Sequence, residues 1–479
     1  MSKKQGMQYA PATAQYNLKY DEEQVRKNTE RAKREAEKAK KKGTPTLHEK
    51  LAKKKIGPPS RLIYFVYWFL MAGFIMKKYK PVIKIEDDIN DCKGPCFLVW
   101  NHLSRLDHAY LMAATYPKRL SIVAGYVEHF RSHLHTVFRL NRILPKKNFA
   151  PDLPGVKAMN SIIMKGGTVC FAPEGVSTLY GDNQPIVPGT GRFIKHYKIP
   201  VYYAELRGQA LTCPKHWLEE RVSRTEVTLK LLFTPEQLAE MTAEEIEDKL
   251  NLTFKYNDYE WSREHGLKWK QMNGRAAAGY DNIFYKCPKC GKELTYVCEG
   301  DTLRCTECGN EVMVDEYYQL SPTSADSIGF EDPVAWEKWE RQQIIKEIRE
   351  DPNYSYSCEC AIGCIPKYHY IENMATSEMC GKGTFTIDHS GIHFKGTKFG
   401  EPFELNASYD EVFTLLIETD LSYFSHYFPS GMIDFYPETK CVTKLVLLTE
   451  EMHRLHKNTW KNFPWNDYMY EGMELPSGD

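Results

Sequence analysis

The run Val99-Trp100-Asn101-His102-Leu103-Ser104-Arg105-Leu106-Asp107 places an imidazole and a carboxylate five positions apart. At about 100° per residue, five positions turn about 140° around a helix, so both groups could not face one another from mid-helix. His102 must therefore sit in a turn, where its ring can fold back on Asp107. The carboxylate would then fix the imidazole tautomer and stabilise the imidazolium formed when the ring accepts a proton, which is the general-base arrangement that activates a hydroxyl. Ser104 lacks the Gly-x-Ser-x-Gly setting of a nucleophile and reads as a helix cap. A second run, Phe171-Ala172-Pro173-Glu174-Gly175-Val176-Ser177, ends an apolar segment with one acid and one glycine, and glycine permits close backbone approach. A third set, Cys287-Pro-Lys-Cys290-Gly and Cys305-Thr-Glu-Cys308-Gly, has the paired spacing of a zinc ribbon. Four thiolates complete a tetrahedral Zn²⁺ shell and leave no position for water, so that metal is expected to be structural. The ribbon's own partner, protein or nucleic acid, is left open.

Something must hold these groups in place. From Val82 to about Phe254, short apolar runs such as CFLVW, RLSIVAG, TVCFAPEG, PVYYAEL and VTLKLLF alternate with stretches of helical length, which predicts a layered α/β unit. The His102 and Glu174 runs would then meet at the carboxyl edge of a parallel sheet. Thr234 to Leu250 reads as one surface helix with Thr234 as its cap. A charged helix is expected at Asp332 to Glu350. In the last hundred residues Phe385, Ile387, Ile392, Phe394, Phe403 and Leu405 alternate with polar positions around turns, a β-meander pattern. A helix beginning at Thr449 closes that region, in a pattern similar to the pleckstrin-homology superfold; a generic β-rich docking domain fits it equally. Cys358, Cys360, Cys364 and Cys380 read as free buried thiols rather than a second metal site.

With 479 residues, 42% hydrophobic and 26% charged, the chain suits about three folded units and excludes collagen-like, wholly disordered and polytopic membrane classes. Residues 1–61 hold 17 basic and 7 acidic side chains, so a cationic arm precedes an acidic body. Lys19 to Lys55 has helix formers but almost no apolar face, and reads as a solvated arm facing phosphate. After it, Leu62 to Met76 is apolar, with Arg61 before it and Lys77, Lys78 and Lys80 after. Fifteen helical residues reach about 22 Å against a hydrocarbon core of about 30 Å. A helix lying in one leaflet is expected, with a buried core helix as the alternative. The start of the chain lacks the apolar core of a secretory signal, and fourteen cysteines spread over this length fit a reducing compartment.

Together NHLSRLD and FAPEGVS resemble the glycerolipid acyltransferase family, best known for lysophosphatidic acid (1-acyl-glycerol-3-phosphate) acyltransferases, over roughly residues 60–255. The resemblance rests on an NHxSxxD block, a FPEG-type block, an intervening basic block and a later apolar-Pro block, here Pro200-Val201. It implies that His102 and Asp107 are the catalytic pair, that Glu174 and Gly175 belong to acceptor binding, and that an acyl group passes from a thioester to a hydroxyl. The donor would be acyl-coenzyme A or acyl carrier protein, and the acceptor a lysophospholipid. Two departures bear on the acceptor phosphate: Val176-Ser177-Thr178 lacks the arginine that often follows Glu-Gly, and the basic block FRLNRILPKKN offers Arg139, Arg142, Lys146 and Lys147 without a single obvious choice. Arg192 is a further candidate. The expected organisation is a basic solvated arm at 1–60, an acyltransferase-like domain at 61–255 with its membrane helix at 62–76, a linker at 256–285, a zinc ribbon at 286–316, a helical linker at 317–369, a β-rich domain with C-terminal helix at 370–464, and a tail at 465–479. The expected function is acyl transfer to a lysophospholipid at the cytoplasmic face of an anionic membrane, peripheral or monotopic and not secreted. The alternatives are a non-catalytic membrane or nucleic-acid adaptor using the ribbon and arm, and an acyltransferase for another membrane alcohol.

Overall fold

Successive side chains of Cys96–Trp100 point to opposite faces of a sheet, and in this strand both faces are apolar. Cys96, Leu98 and Trp100 pack into one buried cluster, and Phe97 and Val99 into another. A strand buried on both sides needs helices on both sides. The computed structural model describes residues 20–54, 56–270, 275–372, 375–457, 459–460 and 463–474. Residues 1–19 of the expected arm and 475–479 of the expected tail lie outside the described residues.

The chain begins with α1 (Glu22–Lys42), α2 (Leu47–Ala52) and α3 (Arg61–Lys78), then enters a sheet built from β1 (Val82–Ile85), β2 (Cys96–Trp100), β3 (Leu120–Gly125), β4 (Leu144–Lys146), β5 (Thr168–Phe171), β6 (Val201–Arg207) and β7 (Glu226–Phe233). The strand order is β1-β7-β6-β2-β5-β3-β4, and every neighbouring pair is parallel except β6 with β7. The helix α3 and α4 (Asp107–Thr115) cover one face through Tyr64, Ile75, Ala109 and Met112. At the margin of that same face lies α5 (Ser132–Leu140), whose Phe138 packs against the cluster, while the other face carries α6 (Leu153–Ile163), α7 (Thr190–Tyr197), α8 (Pro235–Glu240) and α9 (Ala243–Thr253), whose Ile162, Ile194, Leu238 and Ile246 fill the second cluster. The single helix expected from Thr234 to Leu250 is in fact two. Thr234 with Gln237 and Thr242 with Glu245 each form a capping box, and the second starts a new helix.

A four-stranded ribbon follows, β8 (Tyr296–Glu299), β9 (Thr302–Cys305), β10 (Glu311–Val314) and β11 (Leu320–Pro322). Next come α10 (Pro333–Glu350) and a seven-stranded sheet of β12 (Ser355–Cys364), β13 (Glu378–Asp388), β14 (Gly391–Lys398), β15 (Glu401–Ala407), β16 (Leu416–Ile417), β17 (Phe424–Phe428) and β18 (Gly431–Pro437), packed by α11 (Val442–Lys457). Its order, β15-β14-β13-β12-β18-β17-β16, is antiparallel throughout. Two boundaries need correction. The β-rich region starts at Ser355 and not at 370, because SYSCECAIGC, with Ile362 as its one β-branched residue, is a central strand stabilised by its pairing with β13 and β18. Its closing helix starts at Val442, seven residues before Thr449. Ribbon, α10 and the β-rich region also share one core, with Cys287, Cys305, Trp336, Phe385 and Leu445 in the same cluster.

The solvated-arm reading is corrected for residues 22–42. Val25, Asn28 and Ala39 are buried, and Asn28 Nδ2 donates to Met379 O at 2.8 Å, so α1 docks on β13. The stripe 25, 28, 32, 35, 39 has helical spacing but contains only small and polar residues besides Val25, which hides it from a search for apolar faces. Among the described residues no helix is long and apolar enough to cross a membrane.

Candidate active site

Register fixes where the site lies. On neighbouring parallel strands Val99 stands opposite Phe171, so His102 and Glu174, each three residues farther on, emerge side by side at the carboxyl edge. Asn101, buried, clamps the end of β2 to β6: its Nδ2 donates to Leu206 O at 2.9 Å and its Oδ1 accepts Leu206 N at 2.8 Å. His102 then lies in the turn and Asp107 opens α4. His102 Nδ1 is 2.8 Å from Asp107 Oδ2. The same carboxylate accepts Leu103 N, Ser104 N and Ser104 Oγ, each at 2.9 Å. Asp107 is thus held by four contacts and its side chain is 2% exposed, whereas that of His102 is 27% exposed. An ionised carboxylate can only accept, so Nδ1 carries the proton and Nε2 is left as the acceptor. Nε2 forms no hydrogen bond with any described residue. Ser104 Oγ also accepts Leu106 N, a turn-forming role and not that of a nucleophile.

Glu174 departs from the expected acceptor-binding role. Its Oε2 accepts His102 N at 2.6 Å and its Oε1 accepts Gln184 N at 2.8 Å, within a buried setting. Burial pushes its carboxyl well above the ordinary range, although both backbone N–H groups pull it back. Glu174 braces the turn that carries His102, and Thr178 N, donating to His102 O at 2.8 Å, does the same. Gly175 has φ +80, with Phe149 and Val187 packed where a side chain would begin, so only glycine fits.

The candidate cations separate. Lys146 and Lys147 lie at the carboxyl end of β4, and Asn148 Nδ2 donates to Gly175 O at 2.7 Å, which joins this basic segment to the Glu174-Gly175 loop. Lys146 Nζ lies 3.9 Å from Asp152 and Lys147 Nζ 5.3 Å from the Tyr126 ring centroid. Burial pushes the Lys146 ammonium below its ordinary value, opposed by Asp152. Arg142 belongs elsewhere: β4 is only three residues long, so Arg142 lies before its amino end and donates to Pro58 O at 2.9 Å. Arg192 is exposed on α7 and forms no hydrogen bond or ion pair with a described residue.

Lys215, which nothing in the sequence pattern marked, reaches the same edge. Its Nζ is 3.4 Å from Ser177 O, and burial pushes its pKa down against the opposing pull of Glu418. The same segment brings Asp420 N to Lys215 O at 2.7 Å, and Phe413 meets Phe149 edge-on at 5.1 Å. The β-rich region therefore borders the site. Glu220, also unmarked, takes Lys78 and Tyr79 as hydrogen-bond partners and lies 3.6 Å from Arg105.

The four ribbon cysteines lie with their sulfurs within 4.8 Å of one another. Zn²⁺ about 2.3 Å from each sulfur of a tetrahedron would set the sulfurs about 3.8 Å apart; Cys287 and Cys308 are 3.7 Å apart, and Cys290 and Cys305 are 3.9 Å apart. Gly291 N donates to Cys287 O and Gly309 N to Cys305 O, both glycines at φ +70, so two equivalent turns present the pairs. The set could hold a metal such as zinc. Among the described residues no other such group is present. Cys358, Cys360, Cys364 and Cys380 lie on β12 and β13 as free thiols.

No protein-family model and no curated protein matches the sequence. Among solved structures, the crystal structure of the 1-acyl-sn-glycerophosphate (LPA) acyltransferase PlsC from Thermotoga maritima is similar at 13% identity with a TM-score of 0.33, covering 40% of this chain and 76% of that one. A likeness at that level carries no weight in assigning a reaction.

Proposed function

We propose that the protein is an O-acyltransferase that moves a fatty acyl group from a thioester, acyl-coenzyme A or acyl carrier protein, to the hydroxyl of a lysophospholipid, with 1-acyl-glycerol-3-phosphate as the favoured acceptor. The observation that carries this reading is the His102–Asp107 pair: Nδ1 is held at 2.8 Å while the ring stays partly exposed at the sheet's carboxyl edge. His102 Nε2 takes the hydroxyl proton as the oxygen attacks the thioester carbon. The tetrahedral intermediate then collapses, the C–S bond breaks, and the imidazolium returns its proton to the leaving thiolate. Asp107 stabilises the imidazolium between those steps. Lys146, Lys147 and Lys215, near the Glu174-Gly175 loop, are the cations placed to meet an acceptor phosphate. The acceptor is amphiphilic, so the reaction is set at a bilayer surface, on its cytoplasmic face. The strand order and closing helix of the β-rich region support the pleckstrin-homology-like reading of that domain.

Purified protein incubated with labelled acyl-coenzyme A or acyl carrier protein and a panel of lysolipids and alcohols tests the proposal. Transfer to a lysophospholipid is the expected result. Transfer only to another alcohol would change the acceptor, and transfer to none would leave the adaptor reading in its place.

A further inference from the structure

At the amino edge of the parallel sheet, opposite the His102 edge, lies a cavity of about 540 Å³ bordered by Arg61, Lys93, Lys118, Arg119 and Lys165. No acidic side chain borders it, and none of the five cations forms an ion pair with a described residue. Four of them are held by neutral backbone carbonyls: Lys93 by Asn90 O, Lys118 by Cys92 O, Arg119 by Pro59 O and Lys165 by Ile56 O. Those contacts orient the cations without neutralising them. Arg142 lies beside Lys165 at Gly57, adding to the positive field. Like charges gathered this closely disfavour one another unless an anion sits among them.

Directly above the cavity starts α3, whose first residue is Arg61. Leu62, Phe69 and Leu70 are 72%, 63% and 61% exposed. At 100° per residue, Leu62, Phe65, Val66, Phe69, Leu70, Phe74 and Met76 fall within an arc of about 180°, opposite the buried Tyr64 and Ile75 and bordered by the buried Ala72. The exposed face is thus continuous, apolar and without a partner among the described residues. Lys77 and Lys80 stand exposed at its far end.

A soluble anion would account for the cavity alone, and an apolar protein partner for the helix face alone. An anionic head attached to a hydrocarbon tail accounts for both. We propose that this cavity and α3 form a docking surface for an anionic phospholipid bilayer, with one lipid phosphate held among Arg61, Lys93, Lys118, Arg119 and Lys165 while the exposed face of α3 enters the acyl region. This lipid is not the reacting acceptor, because α3, about 27 Å long, separates the cavity from the edge that carries His102. The inference rests on the bilayer setting of the proposed function and not on acyl transfer.

Flotation of the full-length protein with phosphatidylcholine vesicles, with and without phosphatidic acid, tests it. The parent should float with the phosphatidic acid vesicles, and Lys93→Glu/Lys165→Glu, both exposed, should lower that partitioning at least about ten-fold. Lys157→Glu/Lys255→Glu makes the same change in net charge at exposed sites away from the cavity and should lower it far less. Equal loss in both double variants would overturn the proposal in favour of diffuse charge. Equal flotation of the parent with both vesicle types would overturn the headgroup site but leave the bilayer setting, whereas flotation with neither would overturn both. Glycerol 3-phosphate binding the free protein with the same dependence on Lys93 and Lys165 would make the cavity a soluble-phosphate site. Acyl transfer to a detergent-dispersed acceptor, which the Lys93/Lys165 variant should retain, keeps failure of the docking surface distinct from failure of the enzyme reading.

Discussion

Glu174 Oε2 accepts the backbone N–H of His102 at 2.6 Å. Through that contact the second motif sets the position of the first, and it does so with a carboxylate that is buried rather than turned toward a ligand.

Glu174→Gln should therefore act through structure. An amide keeps one acceptor oxygen but turns an N–H₂ toward either His102 N or Gln184 N, which leaves a buried donor without its partner at a cost of about 1–3 kcal/mol. Chemical denaturation should show that loss, and kcat should fall more than the acceptor KM rises. An unchanged unfolding midpoint with only a raised KM would return Glu174 to acceptor binding.

Zinc content should be one ion per chain, and Cys290→Ser should release it. Because Cys287 and Cys305 share a core with Trp336, and Phe284 stacks on Trp336 at 4.2 Å, metal loss should spread beyond the ribbon and alter tryptophan fluorescence. Metal-free protein, purified without chelator, that kept the parent fluorescence and melting temperature would contradict this.

Asp258 supplies a pH signature. Burial pushes its carboxyl up to about 6, although Gly208 N and Ala210 N both donate to Oδ2. An unfolded aspartate titrates near about 3.9, so its contribution to stability is full below that pH and is lost as pH rises through about 6. The stability difference between the parent and Asp258→Asn should shift by roughly 2–3 kcal/mol across that window, with the parent losing ground as pH rises. Parallel stability curves from pH 4 to 7 would show that Asp258 is not the titrating group.

What could be read in advance follows from how local each constraint is. His102 and Asp107 sit within one turn, and the ribbon cysteines come in pairs with fixed spacing, so their residue types and positions already define a geometry. The parallel sheet could be read because Cys96–Trp100 and Thr168–Phe171 are apolar on both faces. Features that depend on distant neighbours were hidden. Lys215 meets Glu418 only because the β-rich region folds back on the first domain, and β12 is a strand only because β13 and β18 flank it. Arg142 and Lys146 are four residues apart in one basic block, yet a three-residue strand sends them toward opposite edges of the sheet. The docking of α1 rests on Val25, Asn28 and Ala39, too few apolar atoms to register as a face.

Asp107→Asn should lower kcat by about 10²-fold or more, because an amide can hold the His102 ring but cannot stabilise the imidazolium as a carboxylate does. Four hydrogen bonds converge on Asp107, so its unfolding midpoint must be measured alongside. Loss of turnover in proportion to loss of folded protein would mean a structural role only.

The most direct measurement is single-turnover acyl transfer from labelled acyl-coenzyme A or acyl carrier protein to 1-acyl-glycerol-3-phosphate by the parent and by His102→Ala, both checked for zinc content and unfolding midpoint. His102 is partly exposed, so the variant should stay folded and zinc-loaded while its rate falls by at least about 10²- to 10⁴-fold. A folded His102→Ala protein that transferred acyl groups at the parent rate would contradict the central claim.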